Sequence, residues 1–191
     1  IQSSVNSFGA VAMAGNTAGS NVEGFVYTAM NSVHQTAVSF TGQNLGGKRY
    51  DRINKILIEC LLFVTAIGLI MGNSAVFFGK QILSLYSSDP EVISYGLQRI
   101  AIICTTYFIC GIMDVLVGSI RGLGYAVMPM IVSLLGACAL RVVWIYTVFQ
   151  WDRTLRTLYI SYPVTWAVTA FAHIICFIVV RRKLELKRKQ I

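Results

Sequence analysis

Charge is what this sequence has least of. Asp, Glu, Lys and Arg make up 13% of its 191 residues, about half the roughly 25% of soluble domains, while 55% are hydrophobic. That poverty excludes a disordered chain and argues against a soluble globular one. Acidic residues are the scarcer sign, 8 against 16 basic, for a net charge of +8. Such an excess on a water-exposed surface would suggest nucleic acid; here a membrane accounts for it better, and no nucleic-acid partner is expected. Five cysteines, at 60, 104, 110, 138 and 176, form neither a CxxC nor a zinc spacing, and because they lie in or beside apolar stretches they are expected to pack in the core. A secretory signal is missing as well. Residues 4–25 are dense in Ala and Gly with Glu23 as their one charge, but they have no basic start and no Ala-x-Ala site after an apolar core. The sequence opens at Ile1, without an initiator Met and in what reads as mid-helix, so it is expected to be part of a longer protein.

What is present is a set of long uncharged runs. Hydrocarbon excludes charge, so the gaps between charges mark membrane spans. Residues 24–47, 60–79 and 157–180 carry none, and each is about one bilayer long at roughly 20 residues per crossing. Residues 100–120 make a fourth span if Asp114 is tolerated within it, and 122–151 a fifth if Arg141 is. Residues 4–25 read as the end of one helix, a tight turn at Gly9 and the start of a helix over 10–41. The expected fold is therefore all-α: a polytopic transmembrane helix bundle of about five full spans plus the end of a sixth.

Basic residues at the span ends set the orientation. The tail from Arg181 holds six Lys and Arg, the stretch GKRYDRINK from Gly47 holds four, and Arg121 brings that side to eleven. The opposite side has four: Lys80, Arg99, Arg153 and Arg156. This places the C-terminus in the cytoplasm.

Polar periodicity inside the spans indicates which faces meet water or protein. Thr28, Asn31, Ser32, Gln35, Ser39, Gly42 and Gln43 recur at three- and four-residue intervals, one face of a helix, with His34 beside it. Such a stripe serves either hydrogen bonding between helices or the wall of an aqueous pathway, and the pathway is favoured here. Asp114 stands out further, because a carboxylate in hydrocarbon costs several kcal/mol and persists mainly where it functions. Burial disfavours its charged form and a bound cation favours it, a competition suited to ion coupling. Tyr107, Cys110, Gly111, Gly118 and Arg121 share its face. Arg141 lies nearer mid-depth, so a level pair with Asp114 is not expected, and snorkelling or carbonyl capping is its simpler role. His173 reads as a packing residue. GxxxG spacings at Gly15/Gly19, Gly42/Gly46, Gly68/Gly72 and Gly118/Gly122 indicate close helix approach.

Several stretches together resemble the multidrug and toxic compound extrusion (MATE) family of bacterial transporters: VNSFGAVAMAGNTAGSNVEGF from Val5, GQNLGGKRYDR from Gly42, MDVLVGSIRGLGYAVMPM from Met113, LRVVWIYTVF from Leu140 and YPVTW from Tyr162. They occur in family order and span nearly the whole chain. The resemblance implies one lobe of a twelve-helix, two-lobe transporter, the C-terminal lobe over residues 1–191, with Ile1 inside the seventh helix and the N-terminal lobe absent. It further implies a secondary antiporter in a bacterial plasma membrane, exporting organic, often cationic compounds in exchange for Na+ or H+ by rocking-type alternating access. No cofactor beyond the coupling ion is implied. Asp114 matches an acidic position of the tenth helix that binds the coupling cation in some members, and so is the candidate Na+ or H+ site. An acidic residue of the seventh helix would fall before Ile1.

The periodicity adds Asn31, Gln35 and Ser39 as candidate substrate-cavity residues, with Tyr107 as a stacking group for a cation. Two alternatives stay open. One is a lipid-linked oligosaccharide flippase of the same superfamily, which needs a basic groove. The other is a non-transporting membrane assembly protein. An enzyme is not expected, since His34, His173 and Asp114 lie on three separate spans.

Overall fold

A computed structural model describes residues 2–189, and side chains over 4–185. The start at Ile1 and the side chains of the last basic residues, Lys187, Arg188 and Lys189, lie outside what is described. A short helix α1 (Gln2–Asn6) ends at Gly9, whose φ of 94° turns the chain into α2 (Ala10–Gly46). Such a φ costs an L side chain about 1–2 kcal/mol and glycine almost nothing, so the turn predicted at Gly9 is where the backbone requires it. α2 runs five residues past the expected end at 41. After a tight loop come α3 (Tyr50–Phe77), a surface turn α4 (Gly79–Ser84) and α5 (Pro90–Gly122). Asp89 caps α5 by accepting from the Glu91 N–H at 2.9 Å, and Pro90 occupies the first turn, where a missing N–H is harmless.

The next crossing is broken into α6 (Val127–Ser133), a π-helical segment (Leu134–Ala139), α7 (Leu140–Tyr146) and α8 (Val148–Trp151). The last helix is α9 (Leu155–Lys189). No strand occurs among the described residues.

Among the described residues, four segments are long and apolar enough to cross a membrane: α3, α5, Val127–Trp151 and α9. The fifth predicted span, within α2, is not among them because its polar stripe dilutes its hydropathy. At 37 residues it is about 55 Å long, and it lies along the whole of α5, crossing with it.

Glycine sets these contacts. A Cβ on Gly15 would lie 2.6 Å from the Cβ of Tyr95, and one on Gly118 or Gly122 would meet the α2 backbone oxygen of His34 at 2.8 Å or Val38 at 2.7 Å. On the other flank Gly68 and Gly72 of α3 abut Phe108 and Cys104 of α5. Three of the four GxxxG pairs are therefore at helix crossings, whereas Gly46 faces open space. Early residues of α2 meet early residues of α5, and late meet late, so the two run parallel. α9 runs the same way, with Tyr159 near Asn16 and Arg181 near Asn54. α3 and the broken span run opposite.

α5 is the central staff of the lobe, with α2, α3 and α9 around it. The broken span is peripheral: in its most apolar window 6% of residues are buried. This corrects the expectation for one cysteine. Cys60, Cys104 and Cys110 are buried in helix contacts as predicted and Cys176 is half-buried against the core, but Cys138 is exposed on the broken span.

Candidate functional site

Asp114 lies in the third quarter of α5, half-buried against α2. Tyr27 and His34 of α2 and Arg121 of α5 are the groups that act electrostatically on its carboxylate. Two turns of α2 beyond Tyr27, His34 is buried and places Nδ1 2.6 Å from the backbone carbonyl of Asp114. A donor at Nδ1 leaves Nε2 as the acceptor nitrogen when the ring is neutral. The backbone contact needs close helices, which Gly118 permits. Tyr27, His34 and Asp114 thus form one polar group between α2 and α5. No ion pair joins Asp114 to Arg141 among the described residues, as the difference in depth predicts.

The predicted stripe on α2 faces away from the lobe. Gln35 and Ser39 are exposed, and Asn31 is half-buried. Thr28, Ser32 and Thr36 turn their hydroxyls onto their own helix, to the carbonyls of Gly24, Ala29 and Ser32 at 2.7–2.9 Å. None of these bonds reaches another helix, so hydrogen bonding between the helices of this lobe does not account for the stripe. A polar face turned outward at bilayer depth needs water or another protein surface.

Tyr107 is elsewhere, at 9% exposure on α5. Its ring stacks on Trp166 of α9 at 5.4 Å between centroids and sits 6.3 Å from Tyr27. Trp166 meets Tyr162 edge-on at 5.6 Å, and the guanidinium of Arg141 lies 4.1 Å above the Tyr162 ring. Aromatic groups therefore lead in a row from the Asp114 group, at the edge of the α2 stripe, to Arg141. Arg141 also donates from Nη2 to Thr165 at 3.1 Å, and its buried Nε has no protein partner. Cation–π contact and one hydroxyl hold this side chain, neither snorkelling nor carbonyl capping. His173 is fully buried and bonds Ser133 at 3.0 Å, the packing role expected of it.

The largest feature the sequence reasoning missed is an ion pair. Glu23 of α2 and Arg99 of α5 face each other with side chains 7% and 6% exposed. Arg99 donates from Nε and Nη2 to the two carboxylate oxygens and from Nη1 to Asn16 Oδ1, all at 2.7 Å. Tyr159 of α9 donates to the same Asn16 oxygen at 3.3 Å, and the rings of Tyr159 and Tyr162 lie 5.5 Å from the guanidinium. Arg99, counted above with the charges of the outer side, is therefore not a free surface charge but a buried, paired one within α5. The signal was present: Glu23 is the single charge between Ile1 and Gly47, and Asn16 and Gly19 precede it by seven and four residues on the same helical face.

The MatE family model matches residues 1–147 of the chain. Among curated relatives, a probable multidrug resistance protein, YoeA, from Bacillus subtilis is 20% identical over 86% of this chain and 36% of its own length. A probable multidrug resistance protein, NorM, from Thermotoga maritima is 26% identical over 65% of this chain and 27% of its own length. Among solved structures, the Vibrio cholerae MATE transporter VcmN in its bent form superposes with a TM-score of 0.86, at 21% identity, over 96% of this chain and 42% of that one. The chain thus spans well under half the length of each.

Proposed function

Because the chain belongs to the MatE family, a family of membrane transporters and not of enzymes, we propose that it is the C-terminal lobe of a secondary antiporter that expels organic, often cationic compounds across a bacterial plasma membrane. Inward movement of Na+ or H+ drives the export. The basic ends of α2 and α9 face the cytoplasm, by the distribution of Lys and Arg.

The observation that carries this reading is the coupling-type group at Asp114. A carboxylate half-buried between two membrane helices, with a phenol and an imidazole acting on it and no carboxylate partner facing it among the described residues, can take a proton or a cation without a large rearrangement. Tyr27 and His34 link that event to α2, whose outward stripe of Asn31, Gln35 and Ser39 would line the substrate path between the lobes. Neutralising Asp114 changes the charge that Tyr27 and His34 face, and so the fit of α2 on α5. Alternating access then needs a rigid lobe that rocks as one body, and the Glu23–Arg99 clasp together with the glycine-mediated crossings gives the lobe that rigidity. Tyr107, stacked between Tyr27 and Trp166, serves as an aromatic support behind the path, and the substrate cation meets the more exposed Tyr27 face first.

Dye efflux tests this reading. The full-length protein in proteoliposomes, loaded with a fluorescent organic cation, is expected to expel it under an imposed Na+ or H+ gradient. Asp114→Asn is expected to abolish gradient-driven efflux, with the protein still folded. Undiminished coupled efflux by that variant would overturn the role of Asp114, and failure of either gradient to move any cation would overturn the antiporter reading.

A further inference from the structure

At the basic end of the lobe, α3 and α9 flank α5 and leave a groove of about 340 Å3 between them. Its floor and walls are apolar. Leu57 and Phe177 are buried at its base, and Ile58 and Ile178 stand exposed at 57% and 45% on its two sides. Its upper end is cationic, formed by Arg181 and Arg182 with Asn54 opposite and Glu185 on the outer rim.

Arg181 is an unusual side chain for a helix end. It is 11% exposed and bridges the two helices, donating from Nε to Asn54 Oδ1 at 3.0 Å and from Nη2 to the Tyr50 carbonyl at 3.4 Å. Its Nη2 also lies 3.6 Å from a Glu185 oxygen. The third nitrogen, Nη1, is buried and has no partner. Asn54, a backbone carbonyl and one carboxylate thus hold the guanidinium between the two helices at the upper end of the groove.

Depth identifies the kind of anion. Arg181 is the first charge after the uncharged run 157–180 on α9, and on α3 the uncharged run 60–79 begins one residue after Glu59. The cationic end therefore sits where hydrocarbon gives way to headgroups. Below it the groove continues into exposed Leu62 and Phe63 of α3 and Ile174 and Ile175 of α9, a surface suited to acyl chains. We propose that this groove binds an anionic membrane phospholipid, its phosphate held at the cationic end formed by Arg181 and Arg182 and its chains laid along α3 and α9. The two arginines outweigh the one rim carboxylate, so a headgroup with net negative charge is preferred over a zwitterionic one. An occupied site would tie the start of α3 to the end of α9.

Lipid titration of the full-length protein in detergent, read by native mass spectrometry, tests this without reference to transport. Phosphatidylglycerol is expected to bind at least tenfold more tightly than phosphatidylcholine of the same chains, and inorganic phosphate not measurably. Arg181→Gln is expected to weaken phosphatidylglycerol binding about tenfold, as loss of one charge-assisted contact implies. Arg182→Gln, on an exposed residue that folding does not need, is expected to weaken it several-fold, and Glu185→Gln to strengthen it. Arg156→Gln at the opposite end should leave it unchanged. Equal binding of the two lipids, or indifference to both arginine substitutions, would overturn the proposal. So would inorganic phosphate competing at the same residues with comparable affinity, which would mark a free-anion site.

Discussion

The buried Glu23–Arg99 pair allows a quantitative test of how α2, α5 and α9 are held together. Removing Glu23 as Glu23→Leu leaves a guanidinium 6% exposed with Asn16 as its one remaining side-chain acceptor. Removing Arg99 as Arg99→Met strands a carboxylate that loses both of its 2.7 Å bonds. Breaking one side of a buried pair costs about 3–5 kcal/mol, whereas replacing both sides with apolar groups of similar volume is often close to neutral. The double variant should therefore lie within about 2 kcal/mol of the parent, and the coupling energy should exceed about 2 kcal/mol, well above the roughly 0.5 kcal/mol scatter of independent sites. Equilibrium unfolding of the full-length protein in mixed detergent micelles measures all three variants. Single losses below about 1 kcal/mol, or losses that simply add, would refute the view that this pair is a desolvated, mutually dependent clasp.

Two further outcomes follow from the packing. Gly72→Val should separate α3 from α5 and destabilise the lobe by about 1–3 kcal/mol, the cost of overpacking a tight contact, because a Cβ there would collide with the Cys104 carbonyl. Gly46→Val, with open space around it, should cost well under 1 kcal/mol in the same unfolding assay. On α2, Gln35→Cys should react readily with a water-soluble maleimide in the full-length protein while Met30→Cys, at a position 2% exposed, should not. Equal protection of both would argue against an aqueous path along the stripe.

The elements were largely legible because hydrocarbon imposes a strong rule on where charges lie. Uncharged runs located α3, α5, the broken span and α9, and the turn at Gly9 was readable because glycine is the residue that a positive φ favours. The rule misled where two charges cancel. Glu23 and Arg99 lie 76 residues apart, and treating each as a boundary or loop charge hid the contact that unites them. Asp114 was conspicuous because it has no such partner. The π-helical segment, Leu134–Ala139, carries no signal in spacing or composition. There Gly136 meets the Thr169 hydroxyl of α9, and a tertiary contact of that kind is invisible to local pattern. Likewise the polar stripe was visible as a periodicity, but that it turns outward depends on which face of α2 the glycines dock against α5.

The parallel course of α2, α5 and α9 has an electrostatic consequence. Aligned peptide dipoles give each helix about half a positive charge at its start and half a negative charge at its end, and three such helices side by side gather like ends at one membrane face. Cations stand where the negative ends collect: Lys48 and Arg49 just beyond α2 and Arg121 in the last turn of α5. Acids stand at the positive ends, with Asp89 and Glu91 opening α5 and Asp152, bonded to Thr154 and Thr157, preceding α9. The residues that orient the chain in the bilayer are thus also those that neutralise its helix ends. A charge reversal at either face would be felt twice, once during insertion and again in the stability of the inserted lobe.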